Sequence, residues 1–202
     1  ATYHECDLLV VEALRRGLMD DLEPGAMATM ASAFTFEGRR GPKGAHNRGS
    51  GAPLEPWFPS PLVGKRWGDL EHIATALNLA EQAVGLPSTR YPDEGFFAAS
   101  YGWATGEDLS EIIAAEEMTG GDFVRNIRQL MDLLRGIGVV ARDEATATSA
   151  KQAADSLFRG VIAASSVLVD DKISKPSHAA SLPGPMERAA GPGTPAADHR
   201  SS

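Results

Sequence analysis

Apolar residues return at helical spacing along almost the whole of this chain, and the strict alternation that marks a strand is nearly absent. Between His4 and Arg16, Leu8, Val11 and Leu14, with Leu9 and Val10 beside them, mark a first helix that Gly17 stops. Pro24 opens a second, whose stripe of Met27, Met30, Ala31, Phe34 and Thr35 runs towards Gly38. A third spans Asp69 to Val84, with Leu70, Ile73, Leu77 and Ala80 on one face and Gly85 and Pro87 at its end. A fourth, Pro92 to Ala104, carries Phe96, Phe97, Tyr101 and Trp103 and so supplies most of the aromatic core. Asp108 and Glu111 read as a capping box for a short fifth helix built on Leu109, Ile112 and Ile113. After Gly120 and Gly121 comes a sixth, Asp122 to Arg135, and Thr146 to Ser166 forms a seventh, buried through Ala150, Ala154, Leu157, Val161 and Ile162. The pattern predicts an all-α bundle of about seven helices over residues 1–167.

Two stretches stand outside this pattern. Residues 39–68 hold Arg39, Arg40, Lys43, Arg48, Lys65 and Arg66 against the single acid Glu55, a basic Gly/Pro-rich loop in an acidic chain. Trp57, Phe58 and Trp67 in that loop either dock on the bundle or offer surfaces for base stacking, and docking is the simpler reading. Residues 168–202 repeat Pro, Gly, Ala and Ser from Pro176 onward and carry too little apolar surface to offset their ordering entropy, so a disordered tail is expected.

Composition narrows the partners. Hydrophobic residues make up 43% and charged residues 23%, which allows one ordinary core. The net charge of -8 argues against a protein that coats duplex DNA, because phosphate neutralisation needs a concentrated excess of Lys and Arg. Any contact with nucleic acid is therefore local. Cys6 is the single cysteine, which rules out an intramolecular disulfide and a multi-cysteine zinc site, and its expected role is a small buried apolar residue. No apolar run approaches the roughly 18 residues of a membrane span, and the start lacks the regions of a signal peptide, so a soluble cytoplasmic protein is expected. The first residue is Ala1 and the helical pattern begins within a few positions, as in a fragment of a longer chain.

No catalytic motif stands in the sequence. A phosphate cradle of the form GxxxxGK[ST] is missing, and Gly64-Lys65-Arg66 puts arginine where a metal-binding hydroxyl is needed. Asp143-Glu144-Ala145-Thr146, behind Ile137, Val139 and Val140, only superficially resembles an acidic ATPase box. His4, His46, His72, His178 and His199 are scattered, without metal-binding spacing, and no serine sits in a GxSxG elbow. By elimination the chain is a binding or scaffolding domain.

The sixth helix carries the most information. Phe123, Ile127, Leu130 and Leu134 stand at i, i+4, i+7 and i+11, while Arg125, Arg128, Asp132 and Arg135, with Gln129 beside them, form the opposite polar stripe. One reading is a solvated face with an Arg128 to Asp132 pair. The other is a surface whose guanidinium groups meet phosphates or stack on bases while Gln129 and Asp132 hydrogen-bond base edges.

Here the sequence resembles a known family. Gly121-Asp122-Phe123-Val124-Arg125, then Gln129 and Asp132-Leu133-Leu134, is similar to the segment that opens the long helix of the C-terminal DSHCT domain of Ski- and exosome-type DExH-box superfamily 2 helicases, in particular the actinobacterial branch. Asp7 to Val10 with Glu12, Leu14-Arg15, Gly17, Leu22 and Pro24, then Ser32, Glu37 and Arg39-Arg40, resembles that domain's beginning. Phe96, Tyr101, Trp103-Ala104, Gly106 and Leu109 resemble its middle, and Arg159 to Ala163 with Ser165 to Val167 its end.

The resemblance implies a helical accessory domain packed on two RecA-like motor domains of the same polypeptide, which bind ATP and magnesium. It also implies that the long helix guides single-stranded nucleic acid, RNA in the first place, out of the motor. Arg125, Arg128, Gln129 and Asp132 are the implied binding residues, with no catalytic, cofactor or metal site in this chain. In relatives a basic residue and an acid three positions later face the bases. They align with Gln129 and Asp132, so glutamine replaces the base here, and the tail beyond Val167 is a second departure. Two other classes stay open: a stand-alone helix-turn-helix regulator using Leu109 to Glu117 and Phe123 to Arg135, and a helical protein-interaction module.

Overall fold

The computed structural model describes residues 6–38, 57–116, 118–160 and 162–163. His4, Glu5, residues 39–56 of the basic loop and the tail 168–202 lie outside them. Among the described residues there are seven helices and no strand: α1 (Asp7–Arg15), α2 (Pro24–Thr35), α3 (Pro61–Ala83), α4 (Phe97–Thr105), α5 (Leu109–Glu116), α6 (Gly120–Val140) and α7 (Glu144–Leu157). The all-α class expected from periodicity is the class observed.

The bundle is organised around α2, which touches α3, α4, α6 and α7. The sequence suggests an apolar stripe there, but every residue from Gly25 to Phe34 is buried. Small residues make this possible, since Gly25, Ala26, Ala28, Ala31 and Ala33 let neighbouring helices close in on all sides. The buried hydroxyls find acceptors inside the helix: Thr29 Oγ1 donates to the Gly25 carbonyl at 2.9 Å and Ser32 Oγ to that of Thr29 at 2.8 Å.

Four boundaries differ from the sequence reading. The helix expected at Asp69 begins eight residues earlier, at Pro61, so the loop expected over 39–68 ends sooner. Ser60 caps it, its Oγ accepting from the Val63 amide at 3.3 Å, and burial of Val63 and Trp67 holds the added turns. Further along α3 the buried face carries Asn78 and Glu81 in place of Ala80, which is exposed. The fourth helix begins at Phe97 and not at Pro92 because Asp93 ties the preceding segment to the end of α2. Its amide donates to the Ala33 carbonyl at 3.0 Å, and its carboxylate accepts from the amides of Gly38 and Gly95 at 3.0 and 2.9 Å.

α6 runs five residues past Arg135, through Gly136 and Gly138. Ile137 and Gly138 are buried, and a Cβ on Gly138 would stand 2.8 Å from Cγ of Lys151 and 3.3 Å from the Ala147 carbonyl oxygen. The glycine is thus the close-approach point at which α6 meets α7, and packing overrides low helix propensity. α7 in turn ends at Leu157, interrupted at Phe158 and Arg159; Gly160, at φ 51°, and Ile162 and Ala163 are helical again, and the rest of the expected stretch to Ser166 lies outside the described residues. The apparent acidic box is the start of this helix. Asp143 caps it, its Oδ2 accepting from the Thr146 amide at 2.7 Å and from the Thr146 hydroxyl at 3.0 Å.

Candidate nucleic-acid interface

Thr119 launches α6: its Oγ1 accepts from the Asp122 amide at 3.1 Å and donates to the Asp122 carboxylate at 2.8 Å. Phe123, Asn126, Ile127, Leu130, Met131, Leu134 and Ile137 then turn inward, and Phe123 meets Phe96 and Trp103 at ring centroid distances of 6.0 and 5.3 Å. Burial of that face fixes which residues the opposite face can present.

The exposed side carries three of the four residues singled out in the sequence. Arg125, Gln129 and Asp132 stand exposed at i, i+4 and i+7, continued at one end by Gly121 and at the other by Gly136. Arg128, expected in the same row, is half-buried on the shoulder of the helix, its Nε shielded from solvent, and it makes a polar or electrostatic contact of its own. The sequence placed it outside because a stripe stepping by three and four drifts around the helix, and 128 lies towards the packed side. Asp132 accepts from Arg135 Nη1 at 3.4 Å, an exposed pair one turn apart. Such pairs are individually weak, so Asp132 stays available to a ligand.

Gly136 adds a second feature. A Cβ there would meet nothing within 4 Å, so no contact within the bundle calls for glycine. Glycine in a helix interior costs about 1 kcal/mol relative to alanine. Together with Gly121 it leaves bare backbone at both ends of the polar row.

The aromatics of the basic stretch dock, as the simpler reading held. Trp67 is buried with its ring 5.2 Å from that of Phe97, Phe58 sits 6.1 Å from the same ring, and half-exposed Trp57 meets Tyr101 edge-on at 5.6 Å.

Sequence reasoning missed the polar links that hold the presenting frame. Arg90 donates to the carbonyls of Phe34 and Phe36 at 2.6 and 2.7 Å, closing the end of α2. Glu81 accepts from the amide and hydroxyl of Thr89, and Asn78 donates to the carbonyls of Ala74 and Thr89. Their partners are mostly main-chain atoms that leave no mark in a residue pattern. No described helix is long and apolar enough to cross a membrane, and no group of His, Cys, Asp or Glu among the described residues is placed to hold a metal ion.

Comparison with known proteins gives the class. The chain is 35% identical over 168 residues to a protein of Mycobacterium tuberculosis (strain ATCC 25618 / H37Rv) named probable helicase HelY, a match covering 80% of this chain and 18% of that relative. The probable helicase HelY of Mycobacterium leprae (strain TN) is 33% identical over 168 residues, with the same coverage. The chain thus spans under a fifth of the length of the relatives it matches. The described helical module is similar to one part of larger proteins that carry the name helicase. A family model described as the DSHCT (NUC185) domain matches residues 1–165, and the chain belongs to that family.

Proposed function

We propose that this domain guides a single strand of nucleic acid, RNA in the first place, along the exposed face of α6. The strand comes from RecA-like motor domains of the same polypeptide, which bind ATP and magnesium, and the protein works in the cytoplasm. One observation carries the reading: Arg125, Gln129 and Asp132 form an exposed row of a cation, a neutral hydrogen-bonding group and an anion along α6, ending in bare glycine backbone at Gly136. Cation and amide supply donors to phosphates and base edges, Asp132 accepts from exocyclic amines, and glycine lets a sugar-phosphate chain come close. The row carries little net charge, in keeping with a surface over which a strand slides. Membership of a family found in proteins named as helicases supports the same reading.

The test is the affinity of the chain for single-stranded RNA. Arg125→Ala and Gln129→Ala remove exposed side chains and leave the packed face of α6 intact, so both variants keep the fold. Each is expected to weaken binding, with the arginine variant losing part of the salt dependence. Undiminished affinity in the double variant would remove α6 from the strand path. A preference for one duplex sequence would instead indicate a helix-turn-helix regulator, and no nucleic-acid binding at all an interaction module.

A further inference from the structure

We infer, on the reading of α6 given above, that Asn126 hydrogen-bonds the edge of a nucleobase, adenine above all, and so adds base recognition to the exposed row. It is a buried residue of α6, only 6% exposed, and its side-chain amide makes no hydrogen bond to any described residue. The other eight buried polar side chains among the described residues all make hydrogen bonds, as Ser149 does to the Leu22 carbonyl at 2.6 Å and Asn78 to two carbonyls at 3.0 Å. An unsatisfied amide in a packed face costs stability, and asparagine is a poor helix former. Neither the packing nor the helicity of α6 therefore calls for it.

The amide is open to a ligand. Neither its oxygen nor its nitrogen is one of the unbonded polar atoms sealed from solvent, so the little surface that Asn126 keeps includes the amide. Its place on α6 puts that surface beside the row. Gln129, three residues on and exposed, stands about 60° round the helix and ~5 to 6 Å away at Cβ. Asn126 is thus at the rim where the packed face gives way to Gln129, and a base lying against Gln129 has its edge within reach.

Chemistry selects the ligand. An amide presents an acceptor oxygen beside a donor nitrogen and carries no charge. A phosphate can only accept, which would leave the amide oxygen unpaired. A base edge with a donor next to an acceptor satisfies both atoms, as adenine does through N6 and N7, the edge with which asparagine and glutamine make paired bonds. In a single strand such edges are free of a complementary base. Arg125 then serves the phosphates, and Asn126 with Gln129 the bases.

The test is the binding of a short oligoadenylate, and of an abasic strand of the same length, to the 202-residue chain and to its Asn126→Ala variant. A homopolymer places adenine at Asn126 in every register. The variant is expected to bind the oligoadenylate roughly tenfold more weakly and the abasic strand as before. Its thermal midpoint should equal or exceed that of the unaltered chain, a combination that damage to the fold could not produce. In the unaltered chain, oligoadenylate should shift the side-chain amide proton and nitrogen resonances of Asn126 while the abasic strand leaves them in place, a measurement that needs no variant. An oligoadenylate affinity indifferent to Asn126→Ala, an equal loss on both strands, or an unmoved Asn126 amide would overturn the assignment. Arg125→Ala should weaken both strands alike. If it does so while Asn126→Ala changes nothing, Asn126 has no part in binding and the α6 row stands; if neither variant changes affinity, α6 lies off the strand path altogether.

Discussion

The guanidinium of Arg159 lies 3.6 Å from the centroid of the Trp103 ring and donates to the carbonyl oxygen of that same residue from Nε at 3.0 Å and Nη2 at 2.8 Å. The link is mutual across the junction, because Trp103 Nε1 donates to the Leu157 carbonyl at 2.9 Å. Arg159 also reaches the Glu107 carbonyl at 2.6 Å. One side chain therefore ties the exit of α7 to both ends of the α4–α5 turn.

From this geometry, Arg159→Ala should lower stability by about 1 to 3 kcal/mol, since it removes a cation over an aromatic face together with charged hydrogen bonds to main-chain oxygens. Arg159→Lys should restore only a minor part, because an ammonium cannot stack and fork at once. Urea unfolding followed by the loss of helical circular dichroism measures both. An unchanged midpoint in the alanine variant would show the link to be passive.

How much of this was legible in the sequence depends on which atoms carry each contact. Periodicity found all seven helices, because Leu130 or Ala154 announces burial by what it is and where it recurs. Boundaries failed where a single distant contact decides them: Asp93 against the end of α2, or Gly138 against α7. The row of Arg125, Gln129 and Asp132 was legible because one helix supplies it, and helical geometry alone put those residues together. Arg128 went astray by a rotation of part of a turn. The Arg159 link was not legible at all, since it joins segments distant in sequence and depends on main-chain oxygens.

Acid should destabilise the domain through two carboxylates. Hydrogen bonds from Arg15, then Arg16, hold Glu12 down from its ordinary 4.5 to about 2, and the Thr146 amide, then its hydroxyl, lower Asp143 below its ordinary 3.8. Each binds its proton less tightly folded than unfolded. Their stabilisation is complete above the unfolded values and is lost as pH falls through the folded ones. The thermal midpoint should therefore drop between about pH 4.5 and pH 2, less steeply in Glu12→Gln and in Asp143→Asn. Asp143 is exposed, and Glu12 is half-buried beneath exposed Arg15 and Arg16, so added salt should shrink the Glu12 share. A midpoint that holds steady across that interval would contradict the assignment.

Gly136→Ala should separate stability from binding. The added methyl meets nothing, so the helix gains propensity and the domain should become more stable by about 0.5 to 1 kcal/mol. If a strand runs against bare backbone there, the same variant should bind single-stranded RNA less well. Binding that improves or stays constant as stability rises would mean that no ligand approaches at Gly136.

The last prediction concerns the domain joined to its motor. The chain has no phosphate cradle, so by itself it should turn over no ATP, with or without RNA, and activity above background in a pure sample would refute the accessory role. If the domain guides a strand leaving a motor in the same polypeptide, as proposed, Arg125→Ala with Arg128→Ala in the complete protein should leave ATP binding untouched and loosen the grip on that strand. Unwinding should then slow more than ATP hydrolysis, so that more ATP is spent per base pair opened. Arg128 is half-buried, so part of any effect could arise from the fold, and Arg125→Ala with Gln129→Ala provides the control. That pair lies wholly on the exposed row and should reproduce the uncoupling at an unchanged thermal midpoint. If both pairs leave the ratio of unwinding to hydrolysis at its original value, α6 does not hold the strand, and the exposed row serves contact with another protein surface.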